Sequence, residues 1–228
     1  MKYMGSKRRI AKYILPIMLA EKKPEQWWVE PFVGGGNVID KVAGNRIGAD
    51  LDHYAIDALI SIRDCVLDLP KNNSEFTEDD YKKLKENDDY KYKGYAGFSF
   101  GFGSRWLATW RKDKDMRDYV KQSYNSAIKQ SPLLQGVILV NQGYLDLKIP
   151  DNSVIYCDPP YYSTYGYTNK IDHVVFWEWV RTKSKEGHKV FVSEYNAPND
   201  FECIWQKEIA NFIKTSNNAI EKLFRIKT

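Results

Sequence analysis

The chain has few of the residues that build metal centres, disulfide frameworks or membrane spans. It contains three cysteines and three histidines in 228 residues. Cys65, Cys157 and Cys203 are odd in number, lie far apart and lack metal-type spacing, so we expect reduced, buried thiols and no metal. No run approaches the roughly 18 apolar residues of a membrane span, and the N-terminus lacks the pattern of a signal peptide. These absences predict a cytoplasmic protein that does not enter a membrane.

Two familiar nucleotide-binding signatures are also absent. The glycine-rich segment EPFVGGGN, at residues 30–37, lacks the Gly-Lys-Ser/Thr ending of a phosphate-binding loop. That absence disfavours nucleoside triphosphate binding, and the segment also misses the Gly-x-Gly-x-x-Gly spacing of dinucleotide-binding folds. Adjacent glycines after a strand still allow the backbone to approach a ligand closely while the next helix starts. A tight turn without a ligand is the alternative at this point.

Positive charge is concentrated in two parts of the chain, although the net charge is only +4. Residues 1–23 carry seven Lys and Arg against one Glu, and residues 91–121 carry eight against three Asp. Segregated positive charge is typical of a phosphate-binding face. A solvated helix face with excess lysine would give the same pattern.

The order of predicted elements indicates an α/β fold. A strand, the glycine turn, a helix, a second strand that ends in Asp50, and a further helix form the beginning of a doubly wound sheet. An acid at the end of the second strand is well placed for ribose hydroxyls. The predicted strands are 27–30, 46–50, 136–141, 154–157 and 189–194, with a C-terminal edge hairpin of 202–209 and 219–227. The predicted helices are 10–19, 37–42, 54–67 and 173–185.

Residues 71–132 interrupt this pattern. They are rich in Lys and Asp, with predicted helices at 78–87 and 113–129 and a glycine–aromatic loop at 95–106. We predict that they form an inserted subdomain, and that residues 1–70 and 133–228 form the main α/β domain.

The most informative motif follows the predicted strand at 154–157. Its two prolines cannot donate hydrogen bonds to a sheet, so the strand ends and presents a carboxylate, two carbonyls and an aromatic ring. If Asp158 and the Pro159 carbonyl each accept one N–H of an exocyclic amine, its lone pair turns toward an electrophile. Tyr161 offers a stacking face worth roughly 1–3 kcal/mol per base. A plain strand-ending turn is the alternative. The candidate catalytic residues are Asp158, Pro159, Pro160 and Tyr161.

Over almost its whole length the chain resembles the Dam family of DNA adenine-N6 methyltransferases, which use S-adenosylmethionine. The segment KYMGSK at residues 2–7 is similar to the family's aromatic–small–Gly–Lys segment, residues 30–36 match its cofactor motif, and DPPY at 158–161 is identical to its catalytic motif. The resemblance implies a Rossmann-like methyltransferase fold, with a mixed, mostly parallel sheet and a small, mainly helical insertion. The cofactor-binding residues it implies are Tyr3, Lys7, Glu30, Pro31, Phe32, Val33, Gly34, Gly35, Gly36, Asp50, Tyr144 and Asp158.

The resemblance also implies that residues 71–132 recognise the DNA target. Basic and aromatic residues are concentrated there, and we expect Arg105, Trp106, Arg111 and Lys112 to contact DNA. Not every aromatic residue of the segment is expected to contact DNA. We expect at least two of Phe98, Phe100 and Phe102 to lie in the core of the subdomain. Lys7, Arg8 and Arg9 could add to the phosphate-contacting surface. We hypothesise that the loop 163–169 folds over the flipped base or the cofactor.

The expected function is methyl transfer to N6 of adenine in a specific double-stranded DNA sequence, with base flipping and S-adenosylhomocysteine as the product. We expect a monomer in a bacterial cell or a phage-infected host. Cytosine-N4 methylation, an RNA or free-nucleotide substrate, and a DNA-binding relative without catalysis are the alternatives. The recognition sequence and the presence of an accompanying restriction endonuclease are left open by the sequence.

Overall fold

The computed structural model describes residues 1–112, 115, 117–161, 171–209 and 219–227. Its strands are β1 Trp28–Glu30, β2 Arg46–Asp50, β3 Val137–Asn141, β4 Val154–Cys157, β5 Lys189–Glu194, β6 Phe201–Ile209 and β7 Ala219–Ile226. Its α-helices are α1 Ala11–Leu19, α2 His53–Asp64, α3 Glu78–Leu84, α4 Lys93–Ser99, α5 Tyr119–Leu134 and α6 His173–Lys185.

Within these described residues the strands form one seven-stranded sheet in the order β3-β2-β1-β4-β5-β7-β6. The first five strands in chain order pair in parallel, whereas β7 is antiparallel to both β5 and β6. This confirms the mixed, mostly parallel sheet and the edge hairpin that the sequence predicts. The strand order reverses between β1 and β4, and a crevice opens outside the carboxyl ends of strands at such a point.

Hydrophobic cores cover both faces of the sheet, which explains why the central strands carry almost continuous apolar runs. On one face, Ile14 of α1, Leu59 of α2 and Tyr95 of α4 belong to one buried cluster. On the other face, Phe176 and Val180 of α6 belong to a second buried cluster. Because side chains alternate along a strand, each central strand contributes to both cores.

Several predicted elements have the predicted bounds, and most of the others differ from them by a few residues. Strands β2, β4 and β5 and helix α6 lie where the sequence places them. The predicted helix at 37–42 is instead a single 3-10 turn, Ile39–Lys41. Part of the predicted loop at 95–106 is helix α4, and this prediction was wrong for a physical reason. A Cβ on Gly94 would lie 2.3 Å from the Tyr54 carbonyl oxygen, so the glycine serves close helix packing.

The segment 71–132 contains α3, α4 and most of α5, as a mainly helical insertion requires. Helix α3 ends earlier and α5 starts later than predicted, and α5 runs past Pro132 to Leu134. Both α4 and α5 pack against α2. The Gln130 amide of α5 donates to the carbonyl oxygens of Gly35 and Gly36, at 3.0 and 3.2 Å. The division into two domains stays a prediction, and this helical segment supports the glycine turn directly.

The cysteines are free thiols, as expected, but they are not uniformly buried. Cys157 is buried at the end of β4, Cys65 is half-buried and Cys203 is exposed. Cys203 lies in the edge strand β6, at the register shift between Cys203 and Trp205. The prediction of buried thiols therefore holds for Cys157 and was wrong for Cys203.

Candidate active site at the carboxyl edge of the sheet

A cavity of about 500 Å³ opens at the crevice between β1 and β4. The ends of β1, β2 and β4 meet there with the N-terminal segment and with one loop of the insertion. The predicted site residues that line it are Tyr3, Lys7, Glu30, Pro31, Phe32, Val33, Gly34, Gly35, Asp50, Arg105, Trp106, Tyr144, Asp158 and Pro160. The structure therefore brings most of the predicted cofactor-binding and catalytic residues to one place.

The glycine turn forms one wall of the cavity. Gly34 and Gly36 have φ of +45° and +64°, a region that residues with a side chain rarely adopt. A Cβ on Gly34 would lie 2.8 Å from the ring of Tyr3, so the N-terminal segment packs directly on the turn. Gly36 lies outside the cavity lining and contacts Leu59 of α2 instead. The glycines thus allow both the turn and the close approach of Tyr3.

Asp50 ends β2 beside the glycine turn. The backbone N–H of Gly34 donates to its Oδ2 at 2.9 Å, and that of Asp52 donates to its Oδ1 at 3.0 Å. Burial raises the pKa of Asp50 to about 6, even though these hydrogen bonds favour the ionised form. Each carboxylate oxygen keeps a further lone pair, so Asp50 can accept hydrogen bonds from a diol in the cavity.

An apolar slot lies next to Asp50. The rings of Phe32 and Tyr144 are 5.4 Å apart, and Tyr144 also meets Trp179 of α6 edge-on at 5.3 Å. Leu51 and Leu145 line the same cavity, although 60% and 58% of their surfaces are exposed. Exposed leucines beside aromatic rings at a cavity mouth are suited to a planar, apolar group.

Glu30 is the buried acid of the cavity. It is only 3% exposed, and the indole N–H of Trp28 donates to its Oε1 at 2.8 Å. Burial raises its pKa well above the ordinary range, and the carboxylates of Asp40 and Asp158 raise it further. A cationic group bound beside Glu30 would stabilise its ionised carboxylate, so this position favours a cationic part of a ligand.

Asp158 follows β4 and forms an ion pair with Lys7. The Lys7 Nζ lies 2.9 Å from Asp158 Oδ1 and 3.2 Å from the Gly5 carbonyl oxygen. Lys7 begins a 3-10 helix, Lys7–Arg9, whose N-cap is Ser6. Burial raises the pKa of Asp158 to about 6, while the charge of Lys7 opposes this rise. The carboxylate is therefore a stronger hydrogen-bond acceptor than an ordinary surface aspartate.

Two of the four predicted catalytic residues do not line the cavity, namely Pro159 and Tyr161. Tyr161 is 8% exposed, and its hydroxyl donates to Glu221 Oε2 at 2.8 Å. The Lys7 Nζ lies 4.4 Å from the centre of its ring, and Tyr195 meets the ring edge-on at 4.6 Å. Glu221 was missed in the sequence, because an acid on an alternating strand gives no motif.

The insertion contributes two of its four predicted DNA-binding residues to the cavity mouth. Trp106 stacks on Tyr54 at 4.1 Å and tilts against Phe98 at 4.9 Å, while Arg105 is exposed. The Met4 N–H donates to the Ser104 carbonyl at 3.2 Å, which ties this loop to the N-terminal segment.

Arg111 and Lys112 lie elsewhere on the insertion. Arg111 covers the ring of Tyr119 at 4.1 Å, and the Lys112 Nζ lies 3.3 Å from Glu78. Of the three phenylalanines, Phe98 and Phe100 are buried whereas Phe102 is 67% exposed, which confirms that two belong to the core.

A group of basic side chains covers the surface between α1 and β6. It consists of Arg8, Arg9, Lys12 and Lys207 around Tyr13, and is called the basic surface below. The Lys207 and Lys12 ammonium groups lie 3.6 and 4.9 Å from the centre of the Tyr13 ring. Lys207 pairs in register with Glu221, next to the Glu194–Lys222 pair at the end of β5. The basic surface therefore lies at the same sheet edge as Asp158.

Three further sequence-based expectations concern this region. The hypothetical lid, residues 163–169, lies outside the described residues. Within the part of the chain that the structure describes, no group of three or more His, Cys, Asp or Glu side chains could hold a metal ion. Among the helices described, none is long and apolar enough to cross a membrane.

Comparison with known proteins shows which family the site resembles. Residues 3–100 match the family model of D12 class N6 adenine-specific DNA methyltransferases. The match includes the N-terminal segment, the glycine turn and Asp50, confirms the resemblance to the Dam family and supports a methyltransferase. No curated protein sequence matches the chain.

Solved structures similar to this chain include three provisionally assigned methyltransferases. The methylase HI0767 of Haemophilus influenzae has 12% identity and a TM-score of 0.39, with 98% of this chain and 91% of that one covered. The methyltransferase yhhF of Escherichia coli has 10% identity and a TM-score of 0.43, with 96% and 87% covered. SMU.472, solved in complex with SAH, has 12% identity and a TM-score of 0.37, with 96% and 52% covered.

Proposed function

We propose that the protein transfers a methyl group from S-adenosylmethionine to N6 of adenine in a specific double-stranded DNA sequence. The observation that carries this proposal is the single cavity at the carboxyl edge of the sheet. It joins the glycine turn and Asp50, which lie within the matched residues 3–100, to Asp158 of the DPPY motif. A methyl donor and an amine acceptor would thus meet in one place.

The residues that line the cavity fit S-adenosylmethionine. Asp50 would accept hydrogen bonds from the ribose hydroxyls, and Phe32 with Tyr144 would enclose the adenine. Glu30 and the glycine turn remain for the amino-acid part, whose ammonium would pair with the buried carboxyl. The cavity of about 500 Å³ is of the size that encloses a ligand of this kind. When bound, S-adenosylmethionine supplies an electrophilic methyl group, and its sulfur keeps the electron pair of the broken bond.

Asp158 would accept one N–H of the adenine amine; a second hydrogen bond, to the Pro159 carbonyl, stays a prediction from the sequence, since Pro159 does not line the cavity. The hydrogen bonding turns the nitrogen toward tetrahedral geometry, directs its lone pair at the methyl carbon and stabilises the positive charge that develops on nitrogen. One proton is lost to water once the N–C bond has formed. The remaining contribution of the chain is orientation, because both reactants are held in one cavity.

Double-stranded DNA would approach along the carboxyl edge of the sheet. The basic surface offers contacts for backbone phosphates on one side of Asp158, and the exposed Arg105 lies at the cavity mouth on the insertion side. The target adenine has to leave the helix, since an amine inside a stacked duplex cannot reach Asp158. Trp106 would then lie beside the displaced base. A monomeric state and a cytoplasmic location stay predictions from the sequence.

A labelling experiment tests this function. The protein is incubated with methyl-labelled S-adenosylmethionine and unmethylated DNA of varied sequence, and the DNA is digested to nucleosides. Label in N6-methyl-2′-deoxyadenosine is expected, and label in N4-methyl-2′-deoxycytidine would overturn the choice of base. No label in any DNA would favour a binding protein without catalysis. Asp158→Ala should abolish transfer while cofactor binding stays measurable by calorimetry.

A further inference from the structure

Glu221 of β7 is a half-buried acid outside every motif of the chain. Its side chain is 15% exposed and lies on the same face of the sheet as the fully buried Leu223. Its Oε2 accepts the hydroxyl of Tyr161 at 2.8 Å and lies 3.8 Å from the Lys7 Nζ. Since Lys7 also lies 2.9 Å from Asp158, one chain of contacts joins Tyr161, Glu221, Lys7 and Asp158.

These four side chains carry two carboxylates but only one cation, Lys7. Asp158 alone would neutralise Lys7, and a second, half-buried carboxylate at the same ammonium costs desolvation energy. Among the described residues, Tyr156 and Tyr195 also interact with Glu221, and Lys207 pairs with it in register from β6. The two phenols supply no positive charge, and the Lys207 ammonium lies over the Tyr13 ring at 3.6 Å. Because this carboxylate costs desolvation energy, we expect it to have a role beyond accepting the hydrogen bond of the Tyr161 hydroxyl.

Competition for Lys7 supplies that role. If the Lys7 ammonium donated only to Asp158, it would occupy lone pairs of that carboxylate. Asp158 would then be a weaker hydrogen-bond acceptor for a substrate amine. Glu221 attracts the same ammonium from β7, which is separated from β4 by β5. The hydroxyl bond to Tyr161 holds Glu221 in place, and the Tyr161 ring lies directly under the ammonium at 4.4 Å. Lys7 is therefore held between two carboxylates above an aromatic face.

We propose that Glu221 is a positioning residue for the methyl transfer: it shares Lys7 with Asp158 and so keeps Asp158 available to the substrate amine. This inference rests on the proposed function. Glu221 acts through Lys7 and Tyr161 and does not line the cavity. Its negative charge also raises the pKa of Asp158, in opposition to Lys7.

Glu221→Gln tests the proposal, because the amide oxygen can still accept the Tyr161 hydroxyl while the charge is lost. The acid limb of the pH–rate profile, measured in single turnovers at saturating DNA and cofactor, should move to lower pH. The plateau rate should fall by roughly tenfold, the effect of about one pKa unit of altered interaction. Glu221→Asp keeps the charge and should restore the wild-type position of the acid limb.

Glu202→Gln is the matched control. It removes the same charge from the same hairpin, where Glu202 Oε1 accepts from Arg225 Nε at 2.7 Å, and its profile should equal that of the wild type. Circular dichroism confirms that each variant is folded. If Glu221→Gln leaves both the plateau rate and the acid limb unchanged in a protein that methylates DNA, the positioning role is wrong.

A titration of Asp158 separates this inference from the proposed function. Carboxyl carbon NMR of the wild type and Glu221→Gln, without DNA, measures the pKa of Asp158 directly and needs no turnover. A lower pKa in the variant supports the coupling even if no DNA is methylated, in which case the proposed function alone fails. An equal pKa in both proteins overturns the coupling, whatever the wild type methylates.

Discussion

The ammonium of Lys7 lies 2.9 Å from the carboxylate of Asp158, although the two residues are far apart in the chain. Lys7 belongs to the N-terminal segment that packs on the glycine turn, whereas Asp158 ends β4. The ion pair therefore connects the proposed cofactor site directly to the proposed acceptor of the substrate amine. A substitution in the proposed cofactor site should therefore have a measurable effect on Asp158.

The rate of methyl transfer should depend on the ionisation of Asp158. Its pKa is raised to about 6 by burial, and the carboxylate is a stronger hydrogen-bond acceptor for the amine than the protonated acid. We therefore expect the single-turnover rate at saturating cofactor to fall as the pH drops below about 6. Lys7→Gln removes the charge that opposes this rise, so its acid limb should lie at higher pH. Lys148→Gln, which removes an exposed charge outside both the cavity and the basic surface, serves as control. Coincident limbs for Lys7→Gln and the wild type would contradict the coupling.

Asp50 should make the stability of the cofactor-free protein depend on pH. Burial raises its folded-state pKa from 3.8 to about 6, so the folded state binds the proton more tightly than the unfolded state. Its contribution to stability is complete below pH 4 and is lost as the pH rises through 6. The free energy of unfolding, measured with urea, should therefore fall in the wild type relative to Asp50→Asn as the pH rises from 4 through 6. The relative decrease should reach up to about 3 kcal/mol. Parallel curves would mean that Asp50 is not perturbed.

Gly34→Ala should destabilise the protein and weaken cofactor binding. The backbone at φ +45° is strained for alanine by roughly 1–2 kcal/mol, and the new Cβ would lie 2.8 Å from Tyr3. Gly136→Ala is the matched control, because φ is +75° there and nothing lies within 4 Å of the added Cβ. Thermal unfolding and calorimetry of cofactor binding should separate backbone strain, common to both, from the loss of Tyr3 packing. Equal effects of the two substitutions would exclude a role for the Tyr3 contact.

Removing charge from the basic surface should reduce the salt dependence of DNA binding. If Lys12 and Lys207 each contact a phosphate, the double alanine variant should lower the slope of log K against log salt by roughly 0.9 for each contact. Lys148 and Lys185, exposed and located before β4 and β5, provide a control pair with the same loss of charge. Fluorescence anisotropy with duplex DNA at several salt concentrations gives both slopes. An unchanged slope in the Lys12 and Lys207 variant would place the DNA elsewhere.

The parallel part of the fold was predictable because its signals are local. Short apolar runs that end in Glu30, Asp50 or the DPPY motif specify buried strands and the edge where they stop. The carboxyl ends of parallel strands meet at one edge, so the cavity and its acidic residues followed from the strand order.

The insertion was less predictable because tertiary packing overrides its local signals. Gly94 and Gly97 are typical of a loop, yet they belong to a helix that the Tyr54 backbone and the Trp106 ring approach closely. Their absent side chains serve contacts with residues distant in sequence, and no pattern within the segment reveals such a partner. The same limitation applies to Arg111 and Lys112, whose positions depend on Tyr119 and Glu78.

The sequence by itself determined the chemistry that this edge of the sheet can offer: a glycine turn, a strand-end acid and DPPY, in an order that forces them together. Only the tertiary structure decided how Asp158 is paired, because Lys7 contacts it from a distant part of the chain and Glu221 contacts that lysine from another. It also decided that Tyr161 faces Glu221 and not the cavity. Motifs record the residues that a short segment needs, whereas the field at a buried carboxylate is the sum of charges brought by every element packed around it.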